Sequence, residues 1–172
     1  MTRDQKVVAI GAGSGVATML VSVWLIGMLL PIPDEAGTLA GRIAYALRWD
    51  ALAAMPFFAM IVAVGNARFS GKAIDPTRGA EDAAMVVDGR VADNSAQQLL
   101  LFVIGSLALA VGLPAERVQV VGAAAIVFFV ARILFWIGYR IHPLYRAFGF
   151  AATAYLNLGL LGGALWFAAI PA

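Results

Sequence analysis

Five runs of apolar residues, 7–30, 49–66, 94–113, 117–141 and 147–169, divide the chain, and they constrain its fold more than any other feature. A helix rises about 1.5 Å per residue, so about 20 apolar residues cross a hydrocarbon core of about 30 Å. Each run meets or approaches that length. Inside a bilayer the backbone has no water to bond with, so segments of this kind satisfy their N–H and C=O groups as helices. The expected fold is therefore all-α, one integral membrane helical bundle over residues 1–172. Composition agrees, because 62% of the residues are apolar and only 13% are charged, far from the balance of an ordinary soluble domain. The first run follows Arg3 and Lys6, but it exceeds the roughly 7 to 15 residues of a signal-peptide core and is read as an uncleaved span.

Several chemistries are excluded at this stage. The absence of cysteine rules out disulfides, thiolate metal sites and a cysteine nucleophile, and the single His142 supplies no histidine cluster, so no metal is expected. The formal net charge is only +2, which assigns the basic residues to topology and ligand binding rather than to nucleic acid. The stretch 31–48 is too polar to span. A longer polar loop, 68–93, holds Pro76 and Gly79, while Pro114 and Pro143 leave short turns before the last two spans. Five alternating spans put Arg3, Lys6, Arg68, Lys72, Arg78, Arg90, Arg140 and Arg146 on one side, and Arg42, Arg48 and Arg117 on the other. By the positive-inside rule the first side, with the N-terminus, is cytoplasmic and the C-terminus lies opposite.

Two polar clusters interrupt this pattern. Arg90, Asn94 and Gln97 fall at i, i+4 and i+7 and share one helix face. The purely apolar part of that run, 99–113, spans only about 22 Å, so the turn with Asn94, Gln97 and Gln98 sinks into the membrane boundary. Arg132 lies about 12 Å along its helix from Arg140, and an intramembrane arginine costs at least ~2.5 kcal/mol. It requires hydrogen-bonding partners or an aqueous cavity. With Phe135, Tyr139 and Arg146 it forms the second cluster, and Arg146 opens a helix whose N-terminal dipole favours an anion. Together the clusters point to a polar pocket for an anionic ligand at one membrane surface. The plainer alternatives are helix capping and snorkelling for the first cluster, and helix-joining hydrogen bonds for Arg132. Trp49, Trp136 and Trp166 read as interfacial or lipid-facing, His142 as a solvated loop residue, and Asn157 as a helix-to-helix hydrogen bond. The run Gly11-Ala12-Gly13-Ser14-Gly15 lacks the spacing and preceding strand of a dinucleotide site, and suits close helix packing through Gly11 and Gly15; Gly159, Gly162 and Gly163 read alike.

These residues resemble the MAPEG superfamily, the membrane-associated proteins in eicosanoid and glutathione metabolism. The first motif is R-x-x-x-N-x-x-E, here Arg90, Asn94 and Gln97. The second is A-R followed by an aromatic and a tyrosine, then an arginine seven residues on, here Ala131-Arg132, Phe135, Tyr139 and Arg146. Ala67-Arg68 is similar to the basic end of the family's first helix. The resemblance covers residues 49–169, a four-helix core, and leaves 7–30 as an extra N-terminal span. It implies a homotrimer with glutathione as co-substrate, bound between subunits at the cytoplasmic side. Arg68, Arg90 and Asn94 would hold its carboxylates and peptide groups, Arg132 and Tyr139 would line the site, and Arg146 would sit near the sulfur as the catalytic group. Gln97 stands where the family carries glutamate against the ligand's amino group. The expected function is a glutathione transferase or peroxidase of a bacterial inner membrane, acting on hydrophobic electrophiles or lipid peroxides. The alternative is a non-catalytic protein of the same fold that binds lipid or supports another membrane complex.

Overall fold

A computed structural model describes residues 1–71 and 73–169; Lys72, one of the cations in the charge count, and the C-terminal 170–172 lie outside the described residues. The described residues form five α-helices and three short 3-10 turns, with no strand among them: α1 (Arg3–Leu29), α2 (Leu39–Ser70), α3 (Ala83–Gly112), α4 (Gln119–Ile141) and α5 (Arg146–Ala169). All five are long and apolar enough to cross a membrane. The chain is an all-α integral membrane bundle.

Local chemistry sets the helix ends. Thr2 and Gln5 form a reciprocal capping box at α1, and the side chains of Thr38 and Asp82 accept backbone N–H bonds at the starts of α2 and α3. Two boundaries differ from expectation. α2 begins at Leu39 rather than 49, and α3 at Ala83 rather than 94. Hydropathy delimits the apolar part of a span, whereas the helix runs on into polar turns wherever a cap terminates it. Arg42, inside that polar turn, does structural work: its guanidinium donates to the carbonyls of Ala110 at 3.1 Å and Val111 at 3.3 Å, closing the C-terminal end of α3.

Small residues let the helices approach closely. A Cβ at Gly149 would fall 2.6 Å from the Phe135 nitrogen, so α4 and α5 touch backbone to backbone. A Cβ at Gly15 would meet the Phe148 backbone, and one at Gly11 would lie 3.4 Å from Ala147, so the first glycine pair is indeed the seam of α1 with α5. Of the later glycines only Gly163 packs this way, against Leu109; Gly159 and Gly162 face open space. α4 is the most buried helix and touches all four others, while α5 packs on α1, α3 and α4. α1 buries only Gly15 and Met19 and remains peripheral. Polar bonds tie the interior together: Asn157 Nδ2 donates at 2.9 Å to both the backbone and side-chain oxygens of Gln98, as expected, and Ser106 donates to the buried Asp50 at 2.7 Å.

Candidate functional site

Three consecutive turns of α4 place Arg132, Phe135 and Tyr139 on one buried face, and α3 brings Asn94 and Ser95 against it. Arg132 is 1% exposed. Its guanidinium donates to Ser95 Oγ at 2.6 Å, Asn94 Oδ1 at 3.1 Å and Thr153 Oγ1 at 3.2 Å, and lies 4.0 Å from the centre of the Phe135 ring. Its Nε is buried without a hydrogen-bond partner. Every group that holds this cation is neutral, so its charge is dispersed by dipoles and a ring rather than cancelled. The structural reading of Arg132 as a helix-joining residue is thus correct in geometry, and it leaves a positive potential behind the surface that Asn94 and Phe135 form.

That surface is the floor of a cleft of about 640 Å³. Arg90 and Asn94 of α3, Phe135 and Tyr139 of α4, and Arg146 of α5 converge on it, residues as far apart in sequence as 90 and 146. Arg146 donates to the Tyr139 hydroxyl at 2.7 Å and covers the Tyr139 ring at 4.8 Å, which fixes the direction of its guanidinium. Tyr139 is therefore buried against Arg146. Arg90 and Arg146 are both exposed at the mouth. Among the described residues no acidic side chain lines the cleft. Two guanidiniums at the opening and a third behind the floor give it a positive potential, the electrostatics that would suit an anion.

Two of the expected site residues lie elsewhere. Arg68 ends α2 and pairs with Glu81 at 2.5 Å, beside a separate surface hollow bordered by Arg90 and Asp93. Gln97 is exposed and lines neither hollow, because its neighbour Gln98 takes the α3 face that meets Asn157 of α5. Of the acids near the basic cluster, Asp82 caps α3, while Asp88 accepts two bonds from Arg140, at 2.8 and 2.6 Å, and one from Trp136 Nε1 at 2.8 Å. Trp136 is thus half-buried and bonded instead of simply facing lipid; Trp49 likewise packs beside Tyr45, and Trp166, like Trp24, is largely exposed. Sequence reasoning missed Ser95 and Thr153, the hydroxyls that hold Arg132, and Val8 and Ala12 of α1, which form one wall of the cleft. A serine or threonine within an apolar run has no periodic signature, whereas α1 could be placed only by its glycine face.

A family model described as the MAPEG family matches residues 46–166. Neither the curated proteins nor the solved structures compared contain a match.

Proposed function

Because the chain belongs to the MAPEG family, as a membrane protein of the glutathione and eicosanoid metabolism superfamily, we propose that it is a glutathione transferase or peroxidase acting on hydrophobic electrophiles or lipid peroxides. The observation that carries this reading is the cleft, free of acids among the described residues, with Arg90 and Arg146 at its mouth and Arg132, held only by neutral groups there, behind it. Glutathione offers two carboxylates and a thiol, all stabilised as anions by such a site. Arg90 and Asn94 bind carboxylate and peptide groups. Arg146, oriented by Tyr139, sits near the sulfur and favours thiolate, at ~1.4 kcal/mol for each unit by which the thiol pKa falls. In substitution, the thiol proton leaves to water and a carbon–sulfur bond forms as the carbon–halogen bond breaks and the halide departs as an anion; in addition to an activated alkene, the π bond breaks and the resulting carbanion takes a proton from water. With a hydroperoxide, the thiolate takes the outer oxygen as the O–O bond breaks and the alkoxide is protonated. A second glutathione then displaces that oxygen as water and gives the disulfide.

The reading includes a homotrimer in a bacterial inner membrane, N-terminus cytoplasmic and C-terminus opposite. Support for assembly comes from Gln97: an amide turned outward at the membrane boundary is costly against lipid and gains a partner at a neighbouring subunit. Arg68, also outside one chain's cleft, fits the same role. Support for orientation comes from the seven described cations at the Arg146 end, against Arg42, Arg48 and Arg117 at the other.

A second reading, a non-catalytic lipid-binding or accessory protein of this fold, is favoured by Gln97, which lacks the charge to meet the amino group of glutathione. The test is turnover of a chromogenic aryl halide with glutathione in detergent. The enzyme reading expects activity that falls at least about tenfold in Arg146→Ala, a loss of about 1.4 kcal/mol of transition-state stabilisation. Gln97→Glu should tighten glutathione binding. No turnover in wild type and no gain in Gln97→Glu would favour the second reading.

A further inference from the structure

Among the described residues two carboxyl groups are buried, and their surroundings differ. Asp88, 2% exposed, receives two bonds from the Arg140 guanidinium and one from Trp136 Nε1, the partners of an ionised acid. Asp50, 5% exposed, has one polar contact, Ser106 Oγ at 2.7 Å from Oδ1, and its Oδ2 is buried without a partner among the described residues. We propose that Asp50 is a proton-binding site inside the membrane, held as a neutral carboxylic acid whose O–H donates to Ser106 and clasps α2 to α3. The proposal is independent of the reaction above, because Asp50 does not line the cleft.

The count of hydrogens carries it. Ser106 Oγ has one hydrogen and two acceptors in reach, Asp50 Oδ1 at 2.7 Å and the Val103 carbonyl, one turn back on α3, at 3.0 Å. With Asp50 ionised, that hydrogen serves one acceptor and leaves the other contact empty. With a proton on Asp50 both contacts become bonds, Asp50 donating to Ser106 Oγ and Ser106 donating to Val103. Oδ2 is then the carbonyl oxygen of an acid, and leaving it unpaired costs far less than leaving a charge unpaired. Asn157, a neutral amide buried on α5, shows the same pattern: its Nδ2 donates to Gln98 while its Oδ1 has no partner. Asp50 thus matches the buried amide and not the buried ion.

No cation is placed to compensate a charge there. On its own helix, Arg48 is exposed and pairs with Glu35, and Arg42 donates to the carbonyls of Ala36, Ala110 and Val111. The 3-10 turn before α2, Asp34–Gly37, offers only acids, Asp34 and Glu35. From α3 comes Ser106, with the nearest ionisable residue of that helix, Asp93, thirteen residues or about 20 Å away along it. On the α4 side, Gly122 abuts Trp49 and the hydroxyl of Tyr45. Arg132 of α4 is bonded to Ser95, eleven residues or about 17 Å along α3 from Ser106. A carboxylate at Asp50 would hold its charge in apolar surroundings with one shared hydroxyl, a state relieved only by parting α2 from α3 or admitting water. The bound proton therefore keeps the two helices closed on each other.

Infrared spectroscopy reads this proton directly, since the C=O stretch of a carboxylic acid lies above the amide and carboxylate bands. The full chain in detergent at neutral pH, with its aspartates ¹³C-labelled at the side-chain carboxyl, would be compared with unlabelled protein, Asp50→Asn and Ser106→Ala. The expected result is an acid band that shifts with the label and in heavy water, disappears in Asp50→Asn, and moves to higher frequency in Ser106→Ala, where the O–H loses its acceptor. The labelled wild type and Ser106→Ala carry the test on their own where Asp50→Asn does not fold. A labelled wild type with no acid band would overturn the proposal, as would a band that Asp50→Asn leaves in place or that Ser106→Ala leaves unmoved.

Discussion

Arg132 sets the electrostatics of the cleft, since it is fully buried and bonded only to Ser95, Asn94 and Thr153. Arg132→Met removes the shared donor of Ser95, Asn94 and Thr153, and leaving buried acceptors unpaired costs about 1–3 kcal/mol, so the melting temperature should fall by several degrees while the bundle stays folded. Glutathione affinity should nevertheless fall about tenfold, because the positive potential behind Asn94 is lost; equal affinity would assign Arg132 a purely structural part. Arg146 makes a pH-dependent prediction. A free thiol titrates near pH 8.5, and a guanidinium beside it favours the charged form. Thiolate absorbance of bound glutathione should therefore appear below that pH in wild type and move upward in Arg146→Leu. At this scale the sequence was informative about charges and silent about hydroxyls. The eight-residue depth of Arg132 announced that it needed partners, but nothing in Ser95 or Thr153 distinguished them from any small residue in an apolar run.

Among the helices, the contacts that matter are those made by α5. Gly149 sits where a side chain would strike the α4 backbone, so Gly149→Val should destabilise the bundle by about 1–3 kcal/mol, read by denaturant unfolding in detergent micelles. Gly159→Val, with open space at that position, should cost no more than about 1 kcal/mol and serves as the matched control. A side chain at Gly15 would strike the Phe148 backbone, so Gly15→Leu should detach α1 from α5 and speed limited proteolysis of α1 in detergent while leaving the fold of α2–α5 intact; unchanged protection of α1 would show that this seam does not hold it. Element existence was legible because five apolar runs are long. Element ends were not, because Arg42, Arg48 and Asp82 lower the hydropathy of turns that remain helical. The seam of α1 with α5 could be read from Gly11 and Gly15, although their partner helix could not.

For the whole molecule, α3, α4 and α5 bring Arg90, Tyr139 and Arg146 to one cleft at one end of the bundle, a convergence in keeping with the alternation of spans read from the sequence. Arg68 and Gln97 turn away from the cleft of a single chain, for they lie on the α2–α3 side and on the outer face of α3. If the assembly proposed above brings them to a neighbour, Gln97→Glu should tighten glutathione binding only in the oligomer and not in dissociated chains. The most direct test of the account is glutathione binding by calorimetry to the purified protein in detergent, comparing wild type with Arg90→Ala, Arg146→Ala and, at the opposite membrane surface, Arg48→Ala. The account predicts saturable binding at millimolar or lower concentration, lost in the first two variants and unchanged in the third. No binding by an intact wild-type protein, or equal binding by all four, would contradict it.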